Sequence, residues 1–278
     1  MSLVIRYGLL GVAVSAAFVN FISCGSQMYQ ASLEGDHSRQ ENNEVGEANS
    51  KDPNSPEFGL HAPSGWVSLP VVYNVEKNFS KVQLQALKDA MATWETAVGK
   101  KLFEFKSIDS KTGDSFPDLF SSLEDGLNGH YDNNNWKKTG KKTQVLATTI
   151  WQNTDSYQQI SGADIHYNSE NYYIADAASM TPKDDREIVD MQSLALHELG
   201  HLLGLAHVDA KIDSSSIMNP SLYIGAGLTT RALSVGDVQR IQKIYGCEGK
   251  ACKKEEIARE ILLSTQKKTA ASNSNNAH

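Results

Sequence analysis

The sequence predicts an α+β domain, and three features lead to that prediction. Strand-like runs of β-branched and aromatic residues crowd the first part of the central region, apolar residues recur at helical spacing in three segments, and two of those segments follow all of the strands. The two ends look unlike this middle, so the folded part is shorter than the 278 residues of the chain. With 26 basic and 33 acidic side chains the net charge is -7, a moderate value that argues against binding a polyanion. No nucleic-acid partner is expected.

Residues 1–23 read as an export signal. A basic start at Arg6 precedes an apolar run from Tyr7 through Ile22, broken only by small residues and Asn20, and then Ser23-Cys24-Gly25-Ser26. The uncharged core is short for a membrane span, and small residues follow it. Phe21-Ile22-Ser23-Cys24 also resembles a bacterial lipobox, which implies cleavage before Cys24 and acylation of that cysteine, although Phe21 replaces the usual leucine. A plain secretory signal with an incidental cysteine, or an uncleaved anchor, stays open. Ser26 does not match the aspartate that retains enteric lipoproteins at the inner membrane, so an outer-membrane address is favoured, with a secreted form as the other outcome. Residues 24–62 are rich in Ser, Asn, Glu, Gly and Asp and hold almost no branched apolar residues, which predicts a flexible, lipid-anchored linker, a cleaved pro-segment being the alternative.

The domain proper is expected over residues 63–248, with order beginning near Pro63-Ser64-Gly65-Trp66. Val67 to Val75 clusters β-branched residues as a strand. Ser80 to Val98 spaces Val82, Leu84, Leu87, Ala90, Met91, Trp94 and Val98 as a helix, which Gly99 closes. Phe103 to Ile108 reads as a second strand. Thr143 to Trp151 reads as a third, after a polar insertion rich in Asn and Lys around Asp132 to Lys142, and Ala163 to Tyr167 as a fourth. Asp190 is placed to cap a helix from Met191 to about Leu203. Ser234 with Asp237 three residues on forms a capping-box pattern for a last helix that stops at Gly246. Cys247 and Cys252 are close enough to close a small loop in an exported protein, two exposed thiols being the alternative. Residues 249–278 predict a short helix, Glu255 to Leu263, and a disordered tail.

The chemistry concentrates in His197-Glu198-Leu199-Gly200-His201-Leu202-Leu203-Gly204-Leu205-Ala206-His207. On a helix, His197 and His201 project from one face a turn apart, where two imidazole nitrogens can bind one ion at about 2 Å. Glu198 lies at the same edge and suits proton transfer, because a zinc-bound water needs a base beside it. Gly204 sits where the helix must stop if the chain is to bend back. That bend delivers His207 as a third ligand, and three neutral imidazoles leave one position open for water. Two histidines four apart are common by chance on helices; the whole string is far rarer.

This string resembles the metzincin zinc peptidases, and Ser216-Ile217-Met218-Asn219-Pro220 resembles their Met-turn. The nearest resemblance is to the matrixin branch, in a bacterial lipoprotein form, and rests also on Asp190 to Leu196, on Met218-Asn219-Pro220-Ser221, on Leu233 to Gly246, on Trp94 and on Ala163-Asp164-Ile165. It covers about Pro63 to Gly246 and is faint between Phe105 and Ala163. The resemblance implies a zincin-like α+β fold, with a mixed twisted sheet of about five strands, three main helices and an active-site cleft. It implies that Met218 forms a hydrophobic floor under the three histidines and that Asp237 supports the Met-turn. It also implies that an extended substrate lies along an edge strand, placed near Ile160 to Tyr167.

Some residues depart from the pattern. Pro220 occupies the position where astacins and serralysins carry a metal-binding tyrosine, so no Tyr ligand is expected. Leu222 stands where matrixins carry a tyrosine in the substrate-pocket wall, with Tyr223 one residue late; Pro220, Leu222 and Tyr223 are the candidate pocket residues. Gly236 replaces the acidic residue that latches a freed amino terminus. Too few residues lie between Ile165 and His197 for the family's glycine-rich ion loops, so neither a structural zinc nor calcium is expected, and His130 and His166 read as packed or exposed strand residues. No cysteine-switch motif precedes the domain.

The expected function is therefore zinc-dependent endopeptidase activity on protein or peptide substrates. It would use a single catalytic zinc on His197, His201 and His207 with Glu198 as general base, in a monomer tethered to a membrane through Cys24. The alternative is a surface lipoprotein that binds zinc or a protein without cleaving it.

Overall fold

The structure is a computed structural model and describes residues 22–23, 52–55, 57–154 and 159–253. Cys24, the rest of the export signal, the helix expected over Glu255 to Leu263 and the tail lie outside the described residues.

Among the described residues nine strands and three α-helices follow one another: β1 (Ile22–Ser23), β2 (Val71–Glu76), α1 (Lys81–Val98), β3 (Phe103–Asp109), β4 (Gly129–Asp132), β5 (Ala147–Asn153), β6 (Ile160–Tyr167), β7 (Tyr173–Ala175), β8 (Ile188–Asp190), α2 (Met191–Leu202), β9 (Ser221–Leu222) and α3 (Val235–Tyr245). Five strands form the main sheet in the order β3-β2-β4-β6-β5. Only β5 runs antiparallel to its neighbour. The α+β class, the five-stranded mixed sheet and the three main helices are those expected from the sequence.

Local chemistry explains the helices. Ser80 accepts from the Gln83 N–H while the Gln83 side chain accepts from the Ser80 N–H, and Gly99 ends α1 at φ 74°. Leu87, Ala90, Met91, Trp94 and Val98 then face the core. Asp190 caps α2 and Ser234 caps α3 with Asp237 reciprocating. On the sheet's helix-facing side lie Tyr73, Val75, Ile165, Tyr167, Ala147 and Trp151, packed with α1 and α2 in one core.

Three boundaries differ from the sequence expectation. The first strand starts at Val71 rather than Val67, because Trp66 and Val67 leave its course to pair with Ile160 and Pro70 has no N–H for a ladder. The central strand β4 falls where the sequence pattern assigned no element: its four residues, Gly-His-Tyr-Asp, are all buried and show no apolar alternation. Order also begins before residue 63. Leu60 is 1% exposed and bridges to Leu205, and Ala62 is 4% exposed, so residues 57–62 belong to the folded unit and not to a flexible linker.

Residues 110–127 cover the sheet's other side. Phe116 packs edge-on against Tyr131 at 5.1 Å, and Ser122 Oγ meets His166 Nε2 at 3.0 Å. Buried Glu76 accepts from the N–H groups of Gly113 and Asp132, fastening this cover to β2 and β4. After α3, Cys247 and Cys252 are bonded with Cα atoms 5.2 Å apart. The loop they close rests on the end of α1 through the Glu248 N–H to Val98 carbonyl bond.

Candidate active site

α2 begins where Asp190, 2% exposed, accepts from the backbone N–H and the hydroxyl of Ser193. Its twelve residues carry His197 and His201 one turn apart. Trp94 of α1 donates to the Leu196 carbonyl at 3.0 Å and seats the helix on α1. At the far end the Leu203 N–H returns to Leu199, and Gly204 takes up φ 103°, a backbone that a β-carbon resists. The Leu205 N–H then closes onto Gly200. This bend carries His207 back toward the helix, as its glycine suggested.

The three imidazoles converge. His197 Nε2 lies 3.0 Å from His201 Nε2 and 3.3 Å from His207 Nε2. Two nitrogens each about 2.0–2.1 Å from a tetrahedral ion stand about 3.3–3.4 Å apart, so the donor set fits zinc with little adjustment. Tautomers follow from the outer partners: His197 Nδ1 lies 2.7 Å from the Ile217 carbonyl and His201 Nδ1 2.8 Å from the Leu205 carbonyl. A carbonyl only accepts, so each Nδ1 carries the proton and each Nε2 turns a lone pair to the centre. Burial first, then the neighbouring imidazoles, hold His201 and His207 well below the usual histidine range. Neutral imidazole is the form that ligates. Among the described residues, this is the one group of three or more His, Cys, Asp or Glu side chains whose ligand atoms lie within 4.8 Å of one another.

Glu198 is 1% exposed and its Oε2 accepts from Thr149 Oγ1 at 2.7 Å. Thr149 stands on the helix-facing side of β5, so the carboxylate is held between the helix and the strand beside it. Nothing in the local sequence singles out this threonine; a polar residue alternating with Ala147 and Trp151 on the buried side of a strand is the signal that was present.

Met218 is fully buried against α2. A β-carbon on Gly200 would collide with the Met218 sulfur and approach the Trp94 ring to 3.1 Å, so Gly200 is what lets the methionine come this close. Asp237 holds the turn from below. Its carboxylate accepts from Ser216 Oγ, the Ile217 N–H, the Ser234 N–H and Arg240. The expected support of the Met-turn by Asp237 is thus two hydrogen bonds, from Ser216 and Ile217, beside the cap of α3 and the pair with Arg240.

A profile of the matrixin family, peptidase family M10, matches residues 66–246. The chain belongs to the matrixin family. Three curated relatives show how this matrixin is similar to known proteins. It is 34% identical over 83 residues to Metalloendoproteinase 1 of Glycine max, covering 29% of this chain and 25% of that protein. It is 33% identical over 93 residues to Matrilysin of Felis catus, covering 34% and 31% respectively. A Putative matrix metalloproteinase of Trichoplusia ni ascovirus 2c is 24% identical over 206 residues, 68% of this chain and 38% of that protein. The chain therefore spans well under half the length of these relatives.

The remaining candidates of this matrixin fall in different places. Pro220 and Leu222 follow the Met-turn; Leu222 is 5% exposed and joins the core, whereas Tyr223 is 52% exposed. The strand expected to receive substrate, Ile160 to Tyr167, is interior, lying between β4 and β5. The edge is β5, Ala147–Asn153, and the correction has a topological cause: β5 returns antiparallel on the outside of β6, an order that residue pattern alone does not reveal. His166 is buried between Ser122 and Asn133, and His130 against Tyr167. In Gly236's place a β-carbon would meet Asp213 and, at 3.0 Å, Arg240.

Proposed function

We propose that this matrixin is a zinc-dependent endopeptidase in which His197, His201 and His207 hold the ion and Glu198 is the general base. A zinc ion on such a donor set lowers the pKa of a water at its open position and polarises a substrate carbonyl. Glu198 receives a proton from the attacking water and delivers it to the leaving amine as the peptide bond breaks. Thr149 aims the carboxylate. The unpaired side of β5 offers backbone groups to an extended peptide, a mode of recognition that is largely blind to sequence. The observation that supports this reading best is the carboxylate of Glu198, fixed by Thr149 beside three converging nitrogens. A binding-only site has no use for it.

Glu198→Gln in the full chain should keep its zinc, measured by elemental analysis, and lose cleavage of a quenched peptide library by about 10²- to 10⁴-fold. Retained cleavage would remove Glu198 from the role of base. If the wild-type chain shows no chelator-sensitive cleavage of any peptide, the site binds without hydrolysing. We also place the protein outside the cytoplasm on a lipid at Cys24; Cys24→Ala should then move it from the membrane to the soluble fraction, and an unchanged distribution would rule out the acyl tether.

A further inference from the structure

The last carbonyls of a helix have no partner within it and must find one elsewhere. In α2, which carries two of the metal-binding histidines, most of those partners come from a segment far upstream, beside the local bond of the Gly204 N–H to the His201 carbonyl at 2.9 Å. His61 Nε2 donates to the His201 carbonyl at 2.8 Å, and Trp66 Nε1 donates to the Leu202 carbonyl at 2.7 Å. The backbone N–H groups of His61 and Ala62 both donate to the Gly204 carbonyl, at 2.9 and 3.1 Å. Tyr245 of α3 completes the set with a bond to the Leu203 carbonyl at 2.9 Å. His61 does more than cap. Its ring stacks on Trp151 of the edge strand β5 at 4.1 Å and 27°, so one side chain joins the end of the metal helix to that strand. Its other nitrogen, Nδ1, is buried and has no hydrogen-bond partner among the described residues; with the proton on Nε2 it is an acceptor.

We infer that His61 is a positioning residue of the active site, fixing both the His201 end of the metal helix and its distance from the edge strand. It acts through the His201 carbonyl and through Trp151, and touches neither the ion nor the substrate. His61 lies upstream of the residues 66–246 that match the matrixin profile. The bend at Gly204 is anchored by the same segment, so the orientation of His207 relative to His201 depends on it as well.

The inference rests on the zinc-site reading, and its test separates the two. In the full chain, His61→Phe keeps a ring to stack on Trp151 but has no donor, while His61→Gln offers a donor without the stack. The first readout is the rate at which a chelator strips zinc, expected to rise about tenfold in His61→Phe. A second is the visible absorption of the cobalt-substituted protein, which should shift in His61→Phe and return toward wild type in His61→Gln. A third is the peptide kinetics, where kcat should fall with little change in KM. If His61→Phe lowers only the melting temperature and leaves zinc release, the cobalt spectrum and kcat unchanged, His61 is a structural cap and the inference is wrong. Should His61→Phe not fold, His61→Gln still decides, because a cobalt spectrum shifted despite the retained donor contradicts positioning through the His201 carbonyl, and a spectrum like that of wild type supports it. A wild-type chain that cleaves no peptide would sink the peptidase reading, while zinc release and the cobalt spectrum would still report on His61.

Discussion

Thr149 shows how a side chain acquires a role from its neighbours. Its hydroxyl is the donor to a carboxylate that is buried and charged when it serves as a base, and hydrogen bonds to charged groups contribute about 1.5–3 kcal/mol. Thr149→Val preserves shape and removes the donor. The expected outcome is a kcat lowered about tenfold or more with zinc content unchanged, read from peptide kinetics beside elemental analysis; an unaltered kcat would mean that Glu198 is positioned without it. Gly200 makes the complementary point. Its value is the absence of an atom, since the Met218 sulfur occupies the space a side chain would fill. The three converging histidines were legible from their spacing, but Thr149 and Gly200 were not, because their importance lies in what the fold brings opposite them.

At the scale of elements, α3 is tied to the metal site by one carboxylate. Asp237 is fully buried, caps its own helix and at the same time holds the Met-turn and Arg240. The capping box was plain in the sequence, as were the Gly99 stop of α1 and the Asp190 cap of α2, whereas the Ser80 box of α1 was seen only in the structure. The second use of Asp237, bonding to Ser216 and the Ile217 N–H, came from family resemblance and is now explained by geometry. Asp237→Asn weakens the pairing of Arg240, which keeps only Asp213 at 3.7 Å, and puts an amide N–H where an acceptor is needed. Loss of one partner of a buried pair costs about 3–5 kcal/mol, so the urea midpoint should fall substantially. A midpoint within error of wild type would show that the Met-turn holds itself.

The ionisable groups buried on the two sides of the sheet matter at this scale too. Burial pushes the carboxyls of Glu76 and Asp164 up to about 7 and that of Asp132 up to about 6. A group whose folded pKa is raised contributes stability that is fully present below its unfolded value and lost as pH rises through the folded one. Burial also pulls His130 and His166 down to about 3, which works the other way: their contribution is present above the ordinary histidine value of 6.5 and lost as pH falls. The two trends overlap in mildly acidic solution, so the informative quantity is a difference between variants. Asp164→Asn keeps an acceptor for the Gly129 N–H and cannot ionise. Its melting temperature should exceed that of wild type at about pH 8, and the advantage should disappear near pH 4, close to the ordinary aspartate value. An advantage independent of pH would place the effect in packing instead.

For the molecule as a whole, the folded unit is larger than the family resemblance suggests. A chain beginning at residue 63 would lose Leu60, whose burial contributes about 1.5–3 kcal/mol, together with the donors to the His201 and Gly204 carbonyls. Its melting temperature should fall by about 5 °C or more relative to a chain that keeps residues 52–62. Equal melting temperatures would restore the boundary read from composition. That reading failed because residues 57–62 bury only two apolar side chains, too few to stand out from a polar stretch.

By itself the sequence determined what depends on near neighbours: the three helices and their caps, the one-turn spacing of His197 and His201, the glycine bend before His207, and the residues from which the Met-turn is made. These are set by helical periodicity and by bonds spanning three or four residues, which a short window contains. Only the tertiary structure decided the rest. It made β5 the edge strand and β6 interior, put the polar strand β4 at the centre of the sheet, and set Thr149 against Glu198 and His61 against His201. Strand order and contacts between residues 49 or 140 positions apart depend on long-range pairing and on the closing of one common core, and no local pattern of side chains encodes them.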